Sequence, residues 1–309
     1  MYKVFIDGAH GTTGLRINEY LAGRSDIQIL EIDPEKRKDT GARVNMIKEA
    51  DVSILCLPDQ AAKEIAAAAP ADSVIIDTST AHRTDPDWTY GMPELTEGQR
   101  DKIRSSTRIA NPGCHASGFI LLVRPLIEAG LLDKEALLTC FCVTGYSGGG
   151  KKMIADYENE DRAAVLDSPG QYALGQSHKH LPEMVQMTGL SGAPCFSPVV
   201  ADFYSGMVMT VPLHAAQLKN GAGIEDVKKA LHMRYDGEAL IKVHDEAPEG
   251  GTVYSNPMAG NNGMEMYVTG NEERILLIAS YDNLGKGASG AAVQNLNIVL
   301  GTEETAGLL

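Results

Sequence analysis

The sequence predicts an α/β protein in two domains: a parallel sheet with helical crossovers, and an inserted α+β domain. Three observations carry that expectation. The chain opens with a buried strand, Val4 to Ile6, then Gly8, Gly11 and Gly14 at three-residue spacing, then Leu15, Ile17, Tyr20 and Leu21 at amphipathic-helix spacing. Apolar strand patterns follow over 27–32, 52–57, 73–76 and 107–110, with a helix from about 60 to 69; such alternation implies a parallel sheet. After Gly130 the texture changes to longer strands over 137–144, 194–201, 206–213, 264–269 and 274–280, with helical patterns over 151–157 and 224–234. A glycine-containing helix over 284–300, with Ala292, Val293, Leu296 and Val299 apolar, is expected to return to the first domain. The expected domains are therefore 1–115 plus 284–309, and 116–283.

Strand, glycine turn, helix is the context a dinucleotide fold requires. Glycines allow a tight turn and close backbone approach, and the helix N-terminus faces a pyrophosphate. Gly8, Gly11, Thr12, Thr13 and Gly14 are the cofactor-binding candidates here. The spacing is GxxGxxG rather than GxGxxG, so an ordinary βα turn of a nucleotide-free protein is the competing reading. At the end of the second strand, Asp33 stands where an acid accepts ribose hydroxyls, yet Lys36-Arg37-Lys38 follow and suit an extra phosphate.

Asn111-Pro112-Gly113-Cys114 joins the short apolar run Arg108-Ile109-Ala110 to a helical pattern through Phe119, Leu122, Val123, Leu126 and Ile127. Unpaired backbone N–H groups and the positive dipole end stabilise a thiolate in a helix's first turn. The alternative is a small apolar cap on a core helix. Cys140 and Cys142, two apart in an apolar run, read as core, and the five cysteines carry no CxxC pair and no zinc spacing. An odd, scattered set fits a reducing cytoplasm.

Composition narrows the function. A length of 309 residues suits about two domains, and 43% hydrophobic content supports real cores. A net charge of −14 with no offsetting Lys/Arg run argues against nucleic-acid binding. The longest apolar stretch, Phe119 to Leu132, contains Arg124, Pro125 and Glu128, and is too short and polar to span a bilayer. The chain starts on a strand, so no secretory or transit peptide is expected.

Four motifs occur in order: Gly8-x-x-Gly11-x-x-Gly14, Asn111-Pro112-Gly113-Cys114, His178-Lys179-His180-Leu181-Pro182-Glu183, and Asp282-Asn283-Leu284-Gly285-Lys286-Gly287-Ala288-Ser289-Gly290. Together, from residue 2 to about 300, they resemble the N-acetyl-gamma-glutamyl-phosphate reductases. Thr80-Ala81-His82-Arg83 and Tyr146-Ser147-Gly148-Gly149-Gly150-Lys151-Lys152 resemble the shorter branch of that family. The resemblance implies a Rossmann-like NADP-binding domain with an inserted substrate and dimerisation domain. It further implies NADPH-dependent reductive dephosphorylation of an acyl phosphate through a thioester on Cys114, in arginine biosynthesis.

Of eight histidines, His180 matches the family's acid/base residue, just before Pro182, with His178 the near alternative. His10 and His115 read as structural, since adjacency in sequence does not make a ring face its neighbour. No histidine and carboxylate have metal spacing, so no metal is expected. Ser79, Asn283, Lys286 and Gly287 join Lys36 and Arg37 as cofactor candidates. Arg83, Asn111, Ser147 and Glu183 are the substrate candidates. Arg83 suits a two-point grip on an anion, but equally suits a loop-capping ion pair. Ser147 to Lys151 is a second glycine-rich loop that suits the nicotinamide, the phosphate or a plain connection. The acidic surface cannot steer an anionic substrate, so attraction must be local. The expected assembly is a homodimer or homotetramer through the mixed sheet. Other readings are an aspartate-semialdehyde dehydrogenase-like enzyme, which lacks the His-x-His-x-Pro-Glu pattern, a non-catalytic NADP-sensing Rossmann protein, and a scaffold built on the mixed sheet.

Overall fold

The computed structural model describes residues 1–309 and divides into two compact units, Met1–Gly113 with Ala288–Leu309, and Cys114–Gly287.

The first unit runs β1 (Tyr2–Asp7), α1 (Thr12–Leu21), β2 (Ile27–Leu30), α2 (Thr40–Glu49), β3 (Val52–Leu55), α3 (Asp59–Ala68), β4 (Val74–Asp77), β5 (Thr89–Tyr90), α4 (Gln99–Ser105) and β6 (Arg108–Ala110). Its six strands are all parallel, in the order β2-β1-β3-β4-β6-β5. A sheet covered on both faces needs strands apolar on both sides, and Val52–Leu55 is buried throughout. Phe5, Leu55 and Ile75 from three strands pack with Ile47 of α2 and Ile65 of α3. The strand order reverses between β1 and β3, where open α/β sheets bind ligands beyond the strands' carboxyl ends.

The second unit opens with α5 (Cys114–Glu128), then β7 (Thr139–Gly145), α6 (Gly150–Glu158), β8 (Gly170–Gln171), α7 (Leu181–Thr188), β9 (Cys195–Ala201), β10 (Met207–His214), α8 (Ile224–Tyr235), β11 (Ile241–His244), β12 (Met264–Gly270) and β13 (Arg274–Tyr281). These seven strands form a mixed sheet, β11-β12-β13-β10-β7-β9-β8. α5 packs on β10 and β13, and α7 and α8 pack on α5. Period-two alternation buries Met209, Val211, Ile275 and Leu277 and leaves Phe141 and Leu276 on the exposed face.

The expected single helix over 284–300 is instead two pieces: a π-helical turn, Gly285–Ser289, then α9 (Gly290–Leu300). Close approach explains the wide turn: a Cβ on Gly285 would lie 2.2 Å from the Asn261 carbonyl oxygen. α9 belongs to the first unit, packed on α1, α4 and β4, with Asn295 donating to the Gly91 carbonyl at 2.8 Å. Sequence patterning passed over α2, α4, β5, β8 and β11. In α2 only Ile47 is buried, so no apolar stripe marks it.

Candidate active site

In the first unit the glycine turn leaves β1 and caps α1. Gly8 has φ +89°, and a Cβ there would lie 2.3 Å from the Cys56 carbonyl oxygen; one on Gly14 would lie 2.5 Å from the Gly8 carbonyl oxygen. Only glycine fits both places, so the strand end, the turn and the helix start are pressed together without side chains. Thr12, Thr13 and Gly14 supply first-turn N–H groups that an α-helix leaves unpaired within itself. Beside the turn lies a cavity of ≈ 320 Å³, lined by Asp7, Gly8 to Gly11, Arg37, Lys38 and Arg43 among others. A backbone cradle next to three cations fits a dinucleotide carrying an additional phosphate.

Arg43, from the first turns of α2, donates through Nε to the Arg37 carbonyl at 2.7 Å and stands 3.5 Å from Asp7 Oδ1. Burial raises the Asp7 carboxyl to about 6, with Arg43 opposing the rise, and its Oδ2 is buried without a hydrogen bond. Burial also pushes the Cys56 thiol, on the cavity wall, up to about 12.

At the end of β4, Asp77 accepts from the Ser79 hydroxyl at 2.7 Å and lies 2.7 Å from His82 Nδ1, whose ring stacks on Trp88. Arg83 donates to the carbonyls of Asn111 (2.9 Å) and Thr78 (3.0 Å). The Asn111 amide donates to the Ala288 carbonyl and accepts from Asn295.

In the second unit Cys114 is the first residue of α5, where the dipole favours an anion. Its Sγ lies 3.3 Å from His115 Nδ1, and His115 Nε2 lies 2.9 Å from the Tyr172 hydroxyl. His178 and His180 crowd the same ring, with centroids 5.5 and 5.4 Å from His115, and the His180 N–H donates to His178 Nδ1. The Cys114 Sγ and one ring nitrogen each from His115 and His180 all lie within 4.8 Å of one another. Burial, and then His178 and Lys179, lower His115 to about 3, so its imidazole is neutral at physiological pH. Burial drives Cys140 up to about 12 and Cys142 well above the ordinary thiol range, which makes both inert.

Tyr281 enters the first turn of α5. Its hydroxyl donates to the Cys114 carbonyl at 2.6 Å and accepts from the Gly118 N–H at 3.2 Å, bridging the two ends of the first turn. Gly118 makes room, since a Cβ there would lie 2.5 Å from that hydroxyl. Gly287 does the same for Cys114, whose Cβ a side chain would meet at 2.8 Å.

Comparison with known proteins agrees with this layout. Residues 31–105 match the semialdehyde dehydrogenase NAD binding domain, and residues 114–283 the semialdehyde dehydrogenase dimerisation domain. The structure superposes on aspartate semialdehyde dehydrogenase II of Vibrio cholerae, complexed with ASA, with a TM-score of 0.71 at 17% identity, over 97% of this chain and 98% of that one. It also matches aspartate semialdehyde dehydrogenase with NADP from Candida albicans, with a TM-score of 0.65 at 14% identity over 97% and 99% of the two chains. The deciding relative is N-acetyl-gamma-glutamyl-phosphate reductase of Rhizobium meliloti (strain 1021), 43% identical over 96% of this chain and 98% of the relative. The chain belongs to the N-acetyl-gamma-glutamyl-phosphate reductase family.

Within this reductase-family chain several sequence expectations need correction. His115, read as structural, has its Nδ1 3.3 Å from the Cys114 sulfur and its ring against that of His180. Lys36 is not on the cavity wall; its Nζ lies 4.0 Å from Asp33 Oδ2, and Lys38 and Arg43 line the cavity with Arg37 instead. The Ser79 hydroxyl gives its proton to Asp77, and two Arg83 donors hold backbone carbonyls. Lys286 and Gly287, expected in the nucleotide domain, fall with Asn283 in the unit that carries Cys114, where Asn283 donates to the Ser147 hydroxyl at 3.0 Å. Ser147 is the second residue of a 3₁₀ turn, Tyr146–Gly149, directly after β7, and Glu183 is buried in the first turn of α7. Tyr172, Tyr281 and Arg43 escaped the sequence reading. Only Gly118, small and mid-helix, signalled one of them. No helix is long and apolar enough to cross a membrane.

Proposed function

We propose that this chain reduces N-acetyl-gamma-glutamyl phosphate with NADPH, releasing N-acetylglutamate 5-semialdehyde, phosphate and NADP, with Cys114 as the nucleophile and His180 as its acid/base partner. The carrying observation is the Cys114 sulfur at a helix start, within reach of histidine rings, in a chain whose buried thiols Cys56, Cys140 and Cys142 are all pushed upward. Sγ attacks the acyl carbon, the carbon–oxygen bond to phosphate breaks, and a thioester forms on Cys114. The thiol proton passes to His180 and on to the departing phosphate. Bound NADPH supplies the hydride. The oxyanion of the resulting Cys114 thiohemiacetal then re-forms the carbonyl and expels the thiolate, which regains a proton from solvent through His180 and restores the thiol.

In this reading Gly8, Gly11, Thr12, Thr13 and Gly14 hold the pyrophosphate, and Arg37, Lys38 and Arg43 the extra phosphate. Ser147, Lys286 and Glu183 serve the substrate from the Cys114 unit. Arg83 serves indirectly, by holding the Asn111 carbonyl three residues before Cys114. Met1–Gly113 with Ala288–Leu309 act as the nucleotide domain and Cys114–Gly287 as the substrate domain. A second copy covers the exposed sheet face around Phe141 and Leu276, and five free cysteines suit a cytoplasmic location. A monodisperse monomer in light scattering would refute the dimer.

The test is phosphate-dependent NADP reduction with N-acetylglutamate 5-semialdehyde, using aspartate semialdehyde as comparator; faster turnover of the comparator would overturn the substrate. Acyl phosphate added without NADPH should leave one acyl group on the Cys114 peptide. Cys114→Ser should abolish turnover, and His180→Asn should lower it by roughly a hundredfold. Labelling on another cysteine, or an active Cys114→Ser enzyme, would overturn the mechanism.

A further inference from the structure

The Cys114 cluster holds more groups than the proposed reaction has used. His115 touches the sulfur on one side and the Tyr172 hydroxyl on the other, at 3.3 and 2.9 Å. We propose that His115 is a second catalytic residue, a neutral imidazole that donates Nδ1–H to the Cys114 thiolate, with Tyr172 as the positioning residue that sets this tautomer by donating to Nε2. The inference rests on the reading of Cys114 as nucleophile.

A neutral imidazole carries one proton, so the hydrogen bond at one nitrogen dictates the role of the other. A hydroxyl donating to Nε2 leaves the proton on Nδ1, aimed at sulfur. The lowered His115 pKa agrees, because an imidazole that stays neutral cannot store the thiol proton as imidazolium. The duties then divide. His115 stabilises the thiolate before attack and again when it leaves the thiohemiacetal, and proton transfer stays with His180.

The groups that face the pair come from every packed element. His178, Lys179 and His180 lie before and at the start of α7, Tyr172 follows β8, Cys142 lies on β7, Tyr281 on β13, and Phe196 of β9 closes the far edge of the ring. The same first turn of α7 also carries the buried acid Glu183.

The experiment measures the rate at which iodoacetamide alkylates Cys114 in the substrate-free enzyme, followed on the Cys114 peptide by mass spectrometry between pH 6 and 9. His115→Leu should slow alkylation at pH 7 by about tenfold and move the rate profile to higher pH, since the reactive thiolate is depleted. His115→Asn places an amide N–H near the Nδ1 position and should restore most of the rate. Tyr172→Phe should slow alkylation by a smaller factor, and long-range 1H–15N spectra should show His115 changing from the Nδ1–H form to a mixture. Wild-type alkylation in His115→Leu, an Asn variant as slow as the Leu variant, or a wild-type ring protonated at Nε2 would overturn the proposal. Alkylation reports the thiolate without any turnover, so this failure is distinct from that of the nucleophile, which acyl trapping on Cys114 decides. Should the Leu variant not fold, the Asn and Phe variants and the wild-type spectrum still decide it.

Discussion

Asp7 costs this protein stability, and replacing it should recover that cost in a pH-dependent way. Its side chain ends β1, is 4% exposed, and faces the cavity beside the glycine turn. Arg43 at 3.5 Å does not fully compensate the burial, so the carboxyl rises from 3.8 to about 6. An acid whose folded-state pKa is raised binds its proton more tightly in the native state, so stability falls as pH climbs through that window. Below 3.8 both states are protonated and nothing is lost; above about 6 the whole penalty applies. At about 1.4 kcal/mol per tenfold change, the penalty is about 3 kcal/mol at pH 8 and about half that at pH 5. Asp7→Asn keeps the shape and removes the charge, so it should stabilise the protein more at pH 8 than at pH 5. The gap in Tm between variant and parent should widen by about 2 °C between those pH values, measured by calorimetry. A gap that stays constant with pH, or a variant less stable at pH 8, would refute the burial argument. A buried acid kept at this cost beside a ligand cavity is the trade expected where function opposes stability.

Gly8→Ala should weaken NADPH binding, because its φ of +89° and the Cys56 carbonyl 2.3 Å from the new Cβ force the turn to move; left-handed strain alone costs about 1–2 kcal/mol. Fluorescence titration reads the loss, and unchanged affinity would sink the cradle. Arg43→Ala should raise the KM for NADPH by about tenfold and leave that for NADH nearly unchanged, the signature of a lost contact to the extra phosphate. An equal rise with both cofactors would show that Arg43 only supports Arg37. Tyr281→Phe should cost about 1–3 kcal/mol in denaturant unfolding, the scale of a buried donor and acceptor losing their partner. It should also lower kcat as the Cys114 carbonyl loses this anchor; an unaltered kcat would make Tyr281 purely structural.

What could be read along the chain was whatever local periodicity and turn chemistry encode. The parallel sheet, the glycine turn after β1, the thiol at the start of α5 and the family motifs each occupy a short window. Residues at period two or 3.6 reveal which face is buried. The ends of elements were read less well. Gly285 and Gly287 looked like helix positions, but they are glycines because Asn261 and Cys114 press against them, a constraint set by other segments. The full cation set beside the glycine turn was hidden from the sequence for a similar reason. Lys36 and Arg43 are equivalent on paper, and only the placement of α2, a helix with one buried side chain, decides which reaches the cavity. The histidine cluster shows the limit most clearly. His115 and Tyr172 are 57 residues apart, and Tyr281 is 167 residues from the carbonyl it holds. No window contains such pairs. Side chains that set the charge, tautomer and orientation of Cys114 are chosen by packing between distant segments, because ring orientation and desolvation exist only once those segments have met.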